Sequence, residues 1–236
     1  MRLRRILFAV LSLLLFAHLA MTQTAQTGAR DLVKSGNAKY ARAEYESAID
    51  DYRRVSPAAG ETYARALYNL GVCYYELWRT EDAAAMYRNA IAARGGRYPQ
   101  ASYSLGVALE DLQRPAEAGA AYRDAIASSG KTYAPAYFRL GLITANGDDF
   151  ATAVTLFREA LSRWPGKFPA AHNNLGVALA RTGQLREAER EFVIASSQGN
   201  SSEARHNLEL CRSLLKARGR IQVASLLLIT GNDLTN

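Results

Sequence analysis

Histidine, cysteine and tryptophan are scarce in this chain, at three, two and two residues in 236. That scarcity removes whole classes of chemistry. There is no C-x-x-C pair, no H-E-x-x-H, no G-x-S-x-G elbow, no phosphate-binding loop and no G-x-G-x-x-G. His172 falls at an inward-facing helical position, where a packed histidine is the plain reading and a ligand or base the other. His206 has no acid or cysteine partner at ligand spacing. No catalytic residue, metal or cofactor is expected, and the chain reads as non-enzymatic. Long runs of one charge are missing too. The formal charge is +7, but Arg2, Arg4 and Arg5 supply three of those charges, and no Lys/Arg cluster elsewhere would mark a nucleic-acid partner. No apolar run reaches the roughly 20 residues that a membrane span requires.

One shorter run has a different meaning. Met1-Arg2-Leu3-Arg4-Arg5 is cationic, Ile6 to Leu19 is apolar, and small or polar residues follow. That is the pattern of a secretory signal peptide over residues 1–25, or of an N-terminal anchor if it is not cleaved. Export, to a periplasm or beyond the cell, is therefore expected. No cysteine follows the apolar run, which argues against a bacterial lipid anchor.

The body of the chain repeats itself. Gly36, Gly71, Gly106, Gly141 and Gly176 are spaced 35 residues apart. Twelve residues after each comes Ala48, Ala83, Ala118, Ala153 or Ala188, and four later an aromatic: Tyr52, Tyr87, Tyr122, Phe157 or Phe192. Three later again comes Val55, Ala90, Ala125, Ala160 or Ala195. Apolar residues within each unit recur at three and four, the period of a helix face. Each unit therefore predicts a helix A, a tight turn and a helix B. Thr80 reads as a cap for the second helix B, and Pro115 as the first residue of the third. The glycine and alanine columns let the paired helices approach, and the aromatic is expected to fill the gap between successive units. Gly60, Gly95 and Gly130 suit left-handed ends of helix B. Tyr63, Tyr98, Tyr133 and Phe168 follow in register, either stapling onto the next helix A or forming an aromatic row along one edge.

These residues resemble the tetratricopeptide repeats. Leu67, Leu70, Gly71, Tyr74, Ala83, Tyr87 and Ala90 match that pattern in the second unit; Tyr137, Leu140, Gly141, Ala153, Phe157, Ala160 and Pro165 match it in the fourth. The resemblance implies an all-α, right-handed α-solenoid of five 35-residue repeats over residues 29–200, followed by a capping helix and apolar tail over 201–236. Its implied function is non-catalytic protein binding, with an extended peptide held on the concave side that the A helices line. Positions that read ligands in such proteins map here to Arg65, Tyr68, Val72 and Tyr75; to Gln100, Tyr103, Val107 and Glu110; and to Pro135, Phe138, Leu142 and Ala145. Asn173 and Arg181 lie nearby in the fifth repeat. The aromatics Tyr68, Tyr103 and Phe138 are either binding anchors or packing between A helices. Some relatives grip a C-terminal carboxylate with lysine, arginine and asparagine; of that set Asn37 remains.

The expected partner is thus a protein or peptide of the cell envelope. An assembly role within an envelope complex is the alternative, and glycan binding by the aromatics a third. Membrane contact is expected only through an uncleaved N-terminus or the tail. In a solenoid, Cys73 and Cys211 stand too many repeats apart for one disulfide and read as small core residues.

Overall fold

The computed structural model describes residues 26–217; the expected signal peptide and the tail after Gly219 lie outside that range. All regular structure among the described residues is helical, and the chain is an all-α protein of the solenoid class. It divides into two compact units at the Arg114–Pro115 junction. The first holds α1 (residues 26–40), α2 (Tyr45–Arg53), a 3₁₀ turn (Pro57–Ala59), α3 (Glu61–Glu76), α4 (Thr80–Ala93) and α5 (Pro99–Asp111). The second holds α6 (Pro115–Ser128), α7 (Ala134–Asn146), α8 (Phe150–Arg163), α9 (Pro169–Arg181), α10 (Leu185–Gln198) and α11 (Ser202–Lys216). Within each unit, helices next to one another in sequence pack together, such as α3 on α4 and α9 on α10. Among the described residues no helix is long and apolar enough to cross a membrane.

The glycine column owes its place to a ring. A Cβ added at Gly36 would lie 2.5 Å from Cε1 of Tyr52, at Gly71 2.5 Å from Tyr87, at Gly141 2.7 Å from Phe157 and at Gly176 2.6 Å from Phe192. In these four repeats the helix B aromatic covers the glycine of its own repeat. A flat ring laid on bare helix backbone brings the two axes close, and hydrogen is the only side chain that allows it. The alanines of the second column, Ala48, Ala83, Ala118, Ala153 and Ala188, have no exposed surface.

A further register lies in the turns from helix A to helix B. Ala43, Trp78, Gln113, Asp148 and Gly183 are 35 apart, and all have positive φ, between 58° and 84°. At each, the following amide reaches back to a carbonyl five residues earlier: Glu44 to Lys39, Arg79 to Tyr74, Arg114 to Leu109, Asp149 to Thr144 and Gln184 to Leu179, at 2.8–3.1 Å. This is the left-handed helix end that ties up the last free carbonyls. It moves the cap as well. Arg79 is the residue before α4, so Thr80 is its first helical residue and not its cap.

The turns from helix B to helix A follow the expected glycines. Gly60, Gly95 and Gly130 have φ of +55°, +60° and +66°. Tyr98, Tyr133 and Phe168 sit just before α5, α7 and α9, each of which has proline in its first two positions. Tyr63 departs from that register: α3 starts earlier, at Glu61, and has no such proline to fix its start.

The second unit packs Tyr137, Phe138, Phe157, Phe168, Leu175, Leu179 and Phe192 into one core that reaches Cys211. α11 closes it through buried Ala204, Cys211 and Leu214. Inside, Asn207 Nδ2 donates to Asn173 Oδ1 at 2.9 Å, and Asn173 Nδ2 to Asn174 Oδ1 at 3.1 Å. Two hydrogen bonds thereby link three fully buried amides, in keeping with the need of buried polar groups for partners.

Candidate functional site

The aromatic row sorts itself by burial. Phe138 has no exposed surface: its ring packs at a tilt against Phe157 at 5.9 Å and Phe168 at 4.8 Å. It is a core residue and not the groove contact its position suggested. Asn173, buried in the amide ladder, is corrected in the same way. The aromatics that precede helix A also find a role distinct from both expectations. Phe168 packs against Phe138 and Tyr98 against Tyr68, at 4.8 and 5.4 Å, so each ring bridges back to the A helix of the repeat before.

Hydrogen bonds tie several A helices to the next, some through expected contact residues. Tyr75 donates its hydroxyl to Asp111 Oδ2, and Tyr40 donates to Glu76 Oε1 at 3.0 Å. Tyr68 lies 3.5 Å from the hydroxyl of Ser104. Each pair is 36 residues apart, one period plus one, and ties an A helix to the next. In the second unit, Arg181 pairs with Asp148 at 3.2 Å, with its guanidinium over the Phe150 ring at 4.2 Å. His172 hydrogen-bonds Glu191 at 2.7 Å, part-buried. Gln100 is exposed, and Tyr103 and Glu110 are half-buried.

One recess of the described surface is walled by tyrosine rings and amides. It lies in the first unit between α1 and α3 and measures about 240 Å³. Asn37 and Tyr40 from α1, Tyr52 from α2, and Tyr68, Asn69 and Val72 from α3 line it. At its centre Asn37 Oδ1 accepts twice, from Tyr52 Oη at 2.7 Å and from Asn69 Nδ2 at 2.9 Å. With its oxygen so occupied, Asn37 has its Nδ2 left to donate. Burial pushes the Tyr52 phenol up to about 12 and raises Tyr40 further, the latter also through its bond to Glu76. The recess is therefore uncharged near neutral pH, walled by tyrosine rings and supplied with amide donors. Small apolar pockets with a few fixed polar groups are common ligand sites.

Of the expected positions, Tyr68 and Val72 lie in this recess, and Arg65 lines a neighbouring cleft. Asn69 carries no single-repeat signal. Asn69 reaches Asn37 across 32 residues, off the 35-residue column, so no repeat alignment pairs them. Tyr40 did have a signal, since it stands one period before Tyr75.

The thiols take no part. Cys73 and Cys211 are buried and form no disulfide, and burial lifts both to about 11, leaving them neutral. Among the described residues, no three His, Cys, Asp or Glu side chains are grouped to hold a metal ion.

The family model of the tetratricopeptide repeat matches residues 27–82, 78–131 and 138–200. Among solved structures, MamA is 26% identical with a TM-score of 0.61, over 69% of this chain and 93% of that one. PilF of Pseudomonas aeruginosa is 19% identical with a TM-score of 0.66, over 86% and 90%. YrrB, described as a TPR protein with an unusual peptide-binding site, is 22% identical with a TM-score of 0.60, over 78% and 90%. At such identities the latter two likenesses concern the fold. No curated protein matches the sequence. The four residue columns running through five repeats, the ring-on-glycine packing and the family match agree, and this chain belongs to the tetratricopeptide repeat family.

Proposed function

We propose that this protein is an exported, non-catalytic interaction module that holds an extended peptide segment of a cell-envelope partner in the recess between α1 and α3. Proteins of this family mediate protein–protein interaction. The observation that carries the reading is the recess itself: tyrosine walls, Val72, and Asn37 with a donor to spare. Rigid tyrosines make good anchors because few rotamers are lost on binding, and amide donors suit the carbonyls of an extended backbone. YrrB, which shares the fold, is described as binding peptide. Export is supported by the cationic start and the apolar run from Ile6 to Leu19.

The test is crosslinking capture from the native compartment with wild type and Val72→Arg. Val72 is half-buried at the recess, so a long charged side chain fills the space without entering the core. The expected result is an unchanged circular dichroism spectrum and loss of the captured partner. Equal capture by the variant refutes the recess as the site. Fractionation with N-terminal sequencing of the mature protein tests export; a cytoplasmic chain still beginning at Met1 refutes it.

A further inference from the structure

A second cleft lies along the same two helices. It measures about 450 Å³ and is lined by Gln26, Arg30, Ala59, Glu61, Thr62 and Arg65. Arg30 and Arg65 stand one period apart, on α1 and α3. Both are exposed, and among the described residues neither makes an ion pair or hydrogen bond. The carboxylate in the cleft, Glu61, is bonded to Arg94 at 3.0 Å. Two guanidiniums thus face one cleft, with its only acid already engaged.

The two clefts are in line. Arg30 and Asn37 are seven residues apart on α1, as are Arg65 and Val72 on α3, and a step of seven returns to the same helix face. Seven residues of helix advance about 10 Å. An extended peptide covers about 3.3 Å per residue, so about three of its residues bridge the two sites.

We infer that the protein selects an acidic segment: an aspartate or glutamate held by Arg30 and Arg65, about three residues from an apolar or aromatic side chain seated among Tyr40, Tyr68 and Val72. This rests on the recess being the peptide site and adds the chemistry of the occupant. Arginine suits the role because its planar fork meets a carboxylate with two parallel bonds.

The experiment pans a displayed library of random 12-residue peptides against the purified chain. Enriched peptides are then measured by fluorescence anisotropy. The expected consensus carries Asp or Glu about three residues from an aromatic or aliphatic. Changing that acid to its amide weakens binding by about tenfold with wild type, and not with the Arg30→Gln/Arg65→Gln double variant. A charge-matched control, Arg186→Gln/Arg190→Gln on α10, keeps the acid preference. Raising the salt concentration narrows the wild-type preference, because both arginines are exposed. Peptides that enrich and are displaced by Val72→Arg, yet show no acid preference, overturn the inference and leave the recess standing. An acid preference that survives in the Arg30→Gln/Arg65→Gln variant also overturns it. Failure to enrich any peptide removes the recess reading and this inference together.

Discussion

Replacing glycine with alanine at two helical positions should move stability in opposite directions. A Cβ at Gly71 would lie 2.5 Å from Cε1 and 2.6 Å from Cδ1 of Tyr87, whereas carbon atoms rest at about 3.5–4.0 Å. Tyr87 is 2% exposed, with Tyr68 against it at 5.7 Å, so the ring has little room to retreat. Overpacking of a closed core costs about 1–3 kcal/mol, and the enclosed ring argues for the upper part of that range. Alanine returns about 1 kcal/mol in helix propensity, leaving a net loss of about 1–2 kcal/mol. Gly119, inside α6, is the control. Its Cβ would meet Arg123 Nη1 at 3.6 Å and Leu140 Cδ1 at 3.7 Å, which is ordinary contact. Gly119→Ala should therefore keep the propensity gain and stabilise by up to about 1 kcal/mol. Urea melts followed at 222 nm, with thermal melts beside them, read both. Each kcal/mol should move Tm by about 2–4 °C in a chain of this size. If Gly71→Ala matches or exceeds wild type in stability, the ring yields freely and the glycine column is not a packing constraint.

The A–B turns make a second prediction. Trp78 holds φ +59° with 91% of its surface exposed, so Trp78→Gly should relieve backbone strain without losing packing and raise stability by about 1 kcal/mol; Gly183→Ala should lower it by a similar amount. Chemical melts check both, and a destabilised Trp78→Gly would show that the indole does structural work. Third, Asp51 is buried, which by itself raises its pKa. The bonds from Lys39 at 2.7 Å and Ser35 at 2.6 Å outweigh this and hold it below the usual carboxylate range. Its stabilisation is therefore present above about pH 4 and fades as pH falls through the lowered native value. Asp51→Asn should cost about 1–2 kcal/mol at pH 7, because partly exposed Lys39 regains water, and the gap to wild type should close in acid. A gap that stays constant down to pH 2 refutes the assignment.

Much of the fold was legible because solenoid packing is local. Each repeat must present a glycine to its own ring and an alanine to its own partner helix, so the constraint returns at a fixed spacing and the columns from Gly36 to Ala195 write it out. The left-handed turns from helix A to helix B were equally periodic yet invisible, since the constraint there falls on the backbone. Alanine, tryptophan, glutamine, aspartate and glycine meet it alike when the hydrogen bonds around them insist.

The candidate site was legible only in part, for the opposite reason. By sequence, Tyr68 and Phe138 are the same residue in two repeats, and only packing separates them: Phe138 is sealed between Phe157 and Phe168, while Tyr68 keeps a half-buried edge on the recess. Tyr75 and Asp111 likewise become partners only once α3 and α5 lie side by side. Alone, the sequence determined the helix pairs, their period and their family, because those follow from neighbours within one repeat. Which surface residues meet, and whether a ring lines a recess or fills a core, was decided by the tertiary structure. Such contacts join residues from different repeats at offsets of 30, 32 and 36, and a 35-residue column cannot record them.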